Sequence, residues 1–124
     1  MAKKIMIVDD EREYTRLFRQ MLERGGYEIV EMSKGSDVLR RLLAEPFDLV
    51  LLDYQMKDIR GDRVCRNIRS EEKLKELPLI MVTAHRELDE AYFKSMGANE
   101  VIYKPVSQSS LREAVEKYLG SNNP

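Results

Sequence analysis

Apolar positions in this chain follow two rhythms that take turns. The runs IMIV (5–8), LVLL (49–52) and LIMV (79–82) carry no polar interruption and read as strands buried on both faces. YEIVEM (27–32) alternates weakly, the pattern of a strand with one polar side near a sheet edge, and EVIYK (100–104) reads as a short fifth strand. Between them, apolar residues return every three or four positions. The sets are Tyr14, Leu17, Phe18, Met21 and Leu22; Val38, Leu39, Leu42 and Leu43; Val64 and Ile68; Leu88, Ala91, Tyr92 and Met96; and Leu111, Ala114, Val115, Tyr118 and Leu119. Each set marks one face of an amphipathic helix.

Punctuation agrees with this division. Gly25-Gly26, Pro46 and Gly97 stop helices, Asp62 is a candidate N-cap, and Ser110 with Glu113 stands at the capping-box offset. Five strand–helix alternations predict an α/β fold: a doubly wound parallel sheet, helices on both sides, right-handed crossovers. The runs at 49–52 and 79–82 should be central. Ligands of such open sheets bind at the carboxyl ends of the strands, where strand order reverses.

Composition narrows the class. The 124 residues, 43% hydrophobic and 35% charged, suit one domain with a core of its own. With 21 basic and 22 acidic residues the net charge is −1, which gives no basic excess for direct nucleic-acid or anionic-membrane binding. One cysteine, Cys65, excludes an internal disulfide framework and suits a reducing cytoplasmic setting; it reads as a packing residue. One histidine and one cysteine argue against a zinc site. The apolar run after the N-terminal lysines is too short for a signal peptide or membrane span.

Chemistry gathers at the strand tips. The first ends in Asp9-Asp10, the third in Asp53, the fourth in Thr83 and the fifth in Lys104-Pro105. A parallel sheet places all of them on one edge. Three carboxylates beside one ammonium repel one another, so some carboxyl pKa should rise and a hard divalent cation should relieve the site, magnesium rather than zinc. An aspartate among a metal, a lysine and a hydroxyl is suited to accept a phosphoryl group. No glycine-rich phosphate loop is present, so a tightly bound nucleotide is not expected.

The fragments IMIVDD, LVLLDYQM, LIMVTA and GANEVIYKP, in this order and spacing, resemble the receiver domain of two-component response regulators. That resemblance implies a flavodoxin-like (βα)5 fold with strand order 2-1-3-4-5 over residues 1–120, leaving 121–124 as a tail or the start of a linker. It implies Asp53 as phosphoacceptor, with Thr83 and Lys104 contacting the phosphoryl oxygens. Magnesium would be held by Asp9, Asp10, Asp53 and the backbone carbonyl of Gln55. Gln55, Ala84 and His85 would modulate hydrolysis, and the Lys104-Pro105 bond would be cis, aiming the lysine inward. The implied partners are a sensor histidine kinase or histidine phosphotransfer protein and a downstream effector at the fourth helix, fifth strand and fifth helix; a homodimer is compatible. The module would be a cytoplasmic switch and not a turnover enzyme.

Two positions depart from the family pattern. Met56 is followed by Lys57 where Met-Pro is common, which predicts a looser loop. Val101 stands where an aromatic residue usually swings inward; Tyr103, on the same strand face, and the helix carrying Tyr92 are the switch candidates in its place. Two other readings compete. A phosphatase with an aspartyl-phosphate intermediate would want a second acid where Gln55 stands. A docking module that is never phosphorylated is the main alternative. The intact set Asp9, Asp10, Asp53, Thr83 and Lys104 favours the switch.

Overall fold

The computed structural model describes residues 2–120. Strands β1 Lys4–Val8, β2 Glu28–Met32, β3 Leu49–Asp53, β4 Leu79–Thr83 and β5 Glu100–Tyr103 form one sheet in the order β2-β1-β3-β4-β5. Every pairing is parallel. Helices α1 Arg12–Glu23, α2 Val38–Ala44, α3 Gly61–Arg69, α4 Glu90–Ser95 and α5 Gln108–Leu119 occupy the crossovers and the end. This is the doubly wound parallel sheet that the alternation predicts, in the flavodoxin-like strand order that the resemblance implies. No helix among the described residues is long and apolar enough to cross a membrane. The predicted tail at 121–124 lies outside the described residues.

The core is two layers separated by the sheet. Phe18 and Leu22 of α1 and Leu111 and Val115 of α5 cover one face, against Ile5, Ile7, Leu49, Leu51 and Val82. Val38 and Leu42 of α2, Val64 and Ile68 of α3 and Phe93 of α4 cover the other, against Met6, Val8, Leu52 and Met81. All five residues of β3 and of β4 are buried, as their unbroken apolar runs require. Each large side chain removed from water here contributes roughly 1.5–3 kcal/mol. That makes the strands a stiff base for whatever their tips carry. The chain steps from β1 to β2 in one direction and to β3 in the other, so the crevice at their carboxyl ends is the switch point of the sheet.

Several local expectations are corrected. Asp62 is not an N-cap: α3 begins at Gly61 after an extended Arg60, and Asp62 lies buried in its first turn. The last helix starts earlier than the Ser110–Glu113 spacing suggests. Ser107, extended after the turn at Pro105, is the cap and accepts the N–H of Ser110 at 3.1 Å. In α1 Thr15 turns inward and Leu17 is 41% exposed; in α2 Leu43 is 43% exposed. In the six-residue α4 the anchor is Phe93, while Ala91 faces solvent. A short helix gives too few repeats to fix the phase of its apolar face.

Candidate functional site

β3 carries Asp53 as its last residue, and β1 delivers Asp9 and Asp10 immediately after its end. β5 delivers Lys104, whose backbone N–H donates to the carbonyl of Thr83 at 2.8 Å. The Lys104-Pro105 peptide is cis. Asp9 is 1% exposed and Asp53 5%, so both carboxyls sit below the surface. Lys104 Nζ donates to Asp9 Oδ2 at 3.0 Å and to Asp53 Oδ1 at 3.2 Å, a bridge between the tips of β1 and β3. Its third side lies against the face of Tyr14, 3.7 Å from the ring centroid.

Backbone groups hold the two flanking acids. The N–H of Glu11 donates to Asp9 Oδ1 at 2.9 Å, and the N–H of Lys57 donates to Asp10 Oδ2 at 2.8 Å. The latter bond ties the loop after β3 to the start of α1. That loop is held twice more. Asp58 accepts the N–H groups of Gly35 and Ser36 at 3.4 and 3.0 Å, and Gly61 N–H donates to the carbonyl of Tyr54 at 2.6 Å. The looseness expected without a proline after Met56 is thus offset by three backbone anchors.

Electrostatics mark the cluster as overcharged. Burial, then the neighbouring charge of Asp9, pushes the Asp53 carboxyl up to about 7 against the pull of Lys104. Burial likewise raises Asp9, although the Glu11 N–H and Lys104 pull the other way. For Lys104, burial disfavours the ammonium, but the charges of Asp53 and Asp9 outweigh it and hold its pKa above the usual lysine range. Oxygens of Asp9, Asp10 and Asp53 all lie within 4.8 Å of one another. At such a separation two like charges cost on the order of 3–4 kcal/mol at an effective dielectric of about 20, so one ammonium does not neutralise three acids. A donor set of carboxylate oxygens alone fits a hard divalent cation, magnesium above zinc.

An open cleft stands above Asp53, with Gln55, Met56, Lys57, Ala84 and His85 among its walls. His85 Nε2 contacts the side-chain oxygen of Gln55, and its Nδ1 lies 2.7 Å from Glu87. Thr83 is buried beneath the cleft; its hydroxyl oxygen accepts the N–H of His85 at 3.0 Å. Asp9, Asp10, Asp53 and Lys104 are therefore joined in one cluster, with Gln55, Ala84 and His85 around its mouth. Val101 and Tyr103 lie away from the cleft. Val101 packs against the α2–α4 side of the core, and the Tyr103 hydroxyl donates to the carbonyl of Leu88, before α4, at 2.5 Å.

Periodicity alone assigned Tyr14 to the core and said nothing of Tyr54. Tyr54 follows Asp53 and meets His85, Tyr92 and Phe93 edge-on, with centroids 5.8, 6.5 and 5.3 Å away. Tyr92 in turn donates its hydroxyl to Asp62 Oδ2 at 3.3 Å. Against the cost of burial, the Arg60 guanidinium at 3.0 Å holds the Asp62 carboxyl below its usual range. A signal for Tyr14 did exist: it is an inward position in the first turn of a helix that starts just after Asp9 and Asp10.

Comparison with known proteins gives a consistent picture. The profile of the response regulator receiver domain matches residues 5–116. The polar-differentiation response regulator DivK of Brucella ovis is 33% identical over 121 residues, 97% of this chain and 98% of that protein. The alkaline phosphatase synthesis transcriptional regulatory protein PhoP of Bacillus subtilis is 32% identical over 120 residues, which span 49% of its length. Among solved structures, a CheY-like receiver domain protein from Methanospirillum hungatei superposes with a TM-score of 0.87 at 28% identity, covering 98% of this chain and 97% of its own. The receiver domain of a Pseudomonas aeruginosa sensor histidine kinase shares the fold at TM-score 0.88 and 24% identity, covering 98% of this chain and all (100%) of its own; it holds a magnesium ion in its active-site cleft.

Proposed function

The chain belongs to the response regulator receiver domain family of two-component signalling, and from that premise we propose that it is a phosphorylation-controlled switch with Asp53 as phosphoacceptor. The observation that carries the reading is the Lys104 bridge between two buried acids at the floor of an open cleft. A carboxylate oxygen of Asp53 attacks phosphorus and forms a new O–P bond. The P–N bond of a partner's phosphohistidine, or the P–O bond of a small phosphodonor, breaks, and its electron pair leaves with the imidazole or the acid. Lys104 trades a carboxylate for a phosphoryl oxygen. Thr83 gives up the His85 N–H when its hydroxyl turns to another.

Asp9, Asp10, Asp53 and the carbonyl of Gln55 are the residues that would hold magnesium. Its charge, when bound, would keep the Asp53 carboxyl ionised at neutral pH and offset charge on the phosphoryl oxygens. The Gln55–His85 contact and the small Ala84 lie at the cleft mouth, where water reaches the acyl phosphate, which suits them to set its lifetime.

Output would pass to the surface of α4, β5 and α5. Val101 is too small to act as an aromatic lever. Two other links run to α4 from the site's neighbourhood: Tyr54 through Tyr92 and Phe93, and Tyr103 through Leu88. The donor would be a sensor histidine kinase or histidine phosphotransfer protein. Incubation with acetyl phosphate, followed by intact mass, tests the acceptor. One phosphoryl adduct that needs magnesium and vanishes in Asp53→Asn is the expected result. No adduct in folded protein, with a histidine phosphodonor also tried, would return the reading to a docking module.

A further inference from the structure

We propose that Tyr14 is a positioning residue for Lys104, its ring acting as the third partner of the ammonium. An ammonium has three N–H donors. Asp9 and Asp53 take two directions at 3.0 and 3.2 Å, and the Tyr14 ring stands 3.7 Å from Nζ. The Lys104 side chain is only 10% exposed, so the ring takes a place that water would otherwise occupy. Tyr14 does not drift: its ring rests on Phe18 one helical turn on, with centroids 5.9 Å apart, and Phe18 is 2% exposed. An electron-rich face held this close attracts a desolvated cation by an amount that corresponds to between a few-fold and tens-fold in an equilibrium.

The consequence concerns transfer and not only packing. Lys104 must leave one carboxylate for a phosphoryl oxygen without leaving the site. One carboxylate contact is given up in that exchange, whereas the ring contact is not. Tyr14 therefore keeps the ammonium beside Asp53 through the step. This role rests on Asp53 being the phosphoacceptor, but the ring–ammonium contact can be tested without it.

Two measurements on the full chain decide the matter. NMR of the Lys104 ε-CH2 should show an upfield ring-current shift in wild type and in Tyr14→Phe, and lose it in Tyr14→Leu. Acetyl phosphate with magnesium should phosphorylate Tyr14→Leu about fivefold more slowly than wild type, with Tyr14→Phe close to wild type. Urea midpoints confirm that each variant is folded. A graded series of fluorinated phenylalanines at position 14, which weakens the ring face with little change of shape, should slow the reaction stepwise. A rate flat across that series, or Tyr14→Leu at the wild-type rate, overturns the proposal. If wild type takes up no phosphoryl group from acetyl phosphate or from a histidine phosphodonor, the acceptor reading fails and the NMR arm stands alone; absence of the ring-current shift then overturns the contact itself.

Discussion

Gly61 is packed against the backbone of Tyr54 so closely that a Cβ on Gly61 would lie 2.8 Å from the Tyr54 Cα and closer still to the carbonyl oxygen of Asp53. The first turn of α3 is thereby pressed onto the tip of β3. Backbone on the other side cannot step aside as a flexible side chain would. Gly61→Ala should destabilise the protein by roughly 1–3 kcal/mol, the usual cost of overpacking, read as a lower urea midpoint. It should also slow phosphorylation of Asp53 by displacing the carboxylate. An unchanged midpoint would mean that α3 moves away freely.

Stability should depend on pH through Asp53. Its carboxyl is raised from an ordinary 3.8 to about 7 in the fold, so between those values the folded state holds a proton that the unfolded chain has released. Without divalent cations, the stability this group supports is complete below pH ~4 and falls as pH rises to ~7, by on the order of 3 kcal/mol. Asp9 is shifted the same way. Asp53→Asn should flatten the profile from pH 4 to 8 and be more stable than wild type at its alkaline end. Parallel profiles for the two proteins would contradict the assignment.

Cys65 should be chemically silent in the native state. It is fully buried, its thiol lies 3.4 Å from the carbonyl of Met96, and burial pushes its pKa up to about 11. A thiol-reactive disulfide reagent should label it only as fast as the protein opens, with urea accelerating the reaction. Rapid stoichiometric labelling in native buffer would show an opening between α3 and α4 that the packing does not contain.

How much of this could be read from the chain depends on which atoms carry the information. The strand tips were legible because uninterrupted apolar runs announce buried parallel strands, and parallel topology brings Asp9, Asp53 and Lys104 to one edge. Side-chain patterning is silent about backbone. The anchors of Lys57 on Asp10 and of Asp58 on Gly35 and Ser36 involve N–H groups that every such residue owns. Phase was lost where helices are short, as with Phe93 in α4. Tyr14 does turn inward beside the core, as its spacing predicts, but periodicity does not report that a lysine also meets its ring.

The bond from Lys57 to Asp10 has a consequence for anyone who would improve this chain by consensus. Replacing Lys57 with proline would move the loop toward the commoner family pattern and restrict its backbone, normally a stabilising exchange. Here the exchanged residue is the donor: proline has no N–H, and the 2.8 Å bond to Asp10 would vanish. Lys57→Pro should therefore lower the melting temperature and leave Asp10 without its restraint. A neutral or stabilising outcome would show that the bond contributes no more than the backbone restriction of proline gains. Majority vote among relatives assumes that each position solves the same problem alone, and in this loop the solution is shared between Lys57 and Asp10.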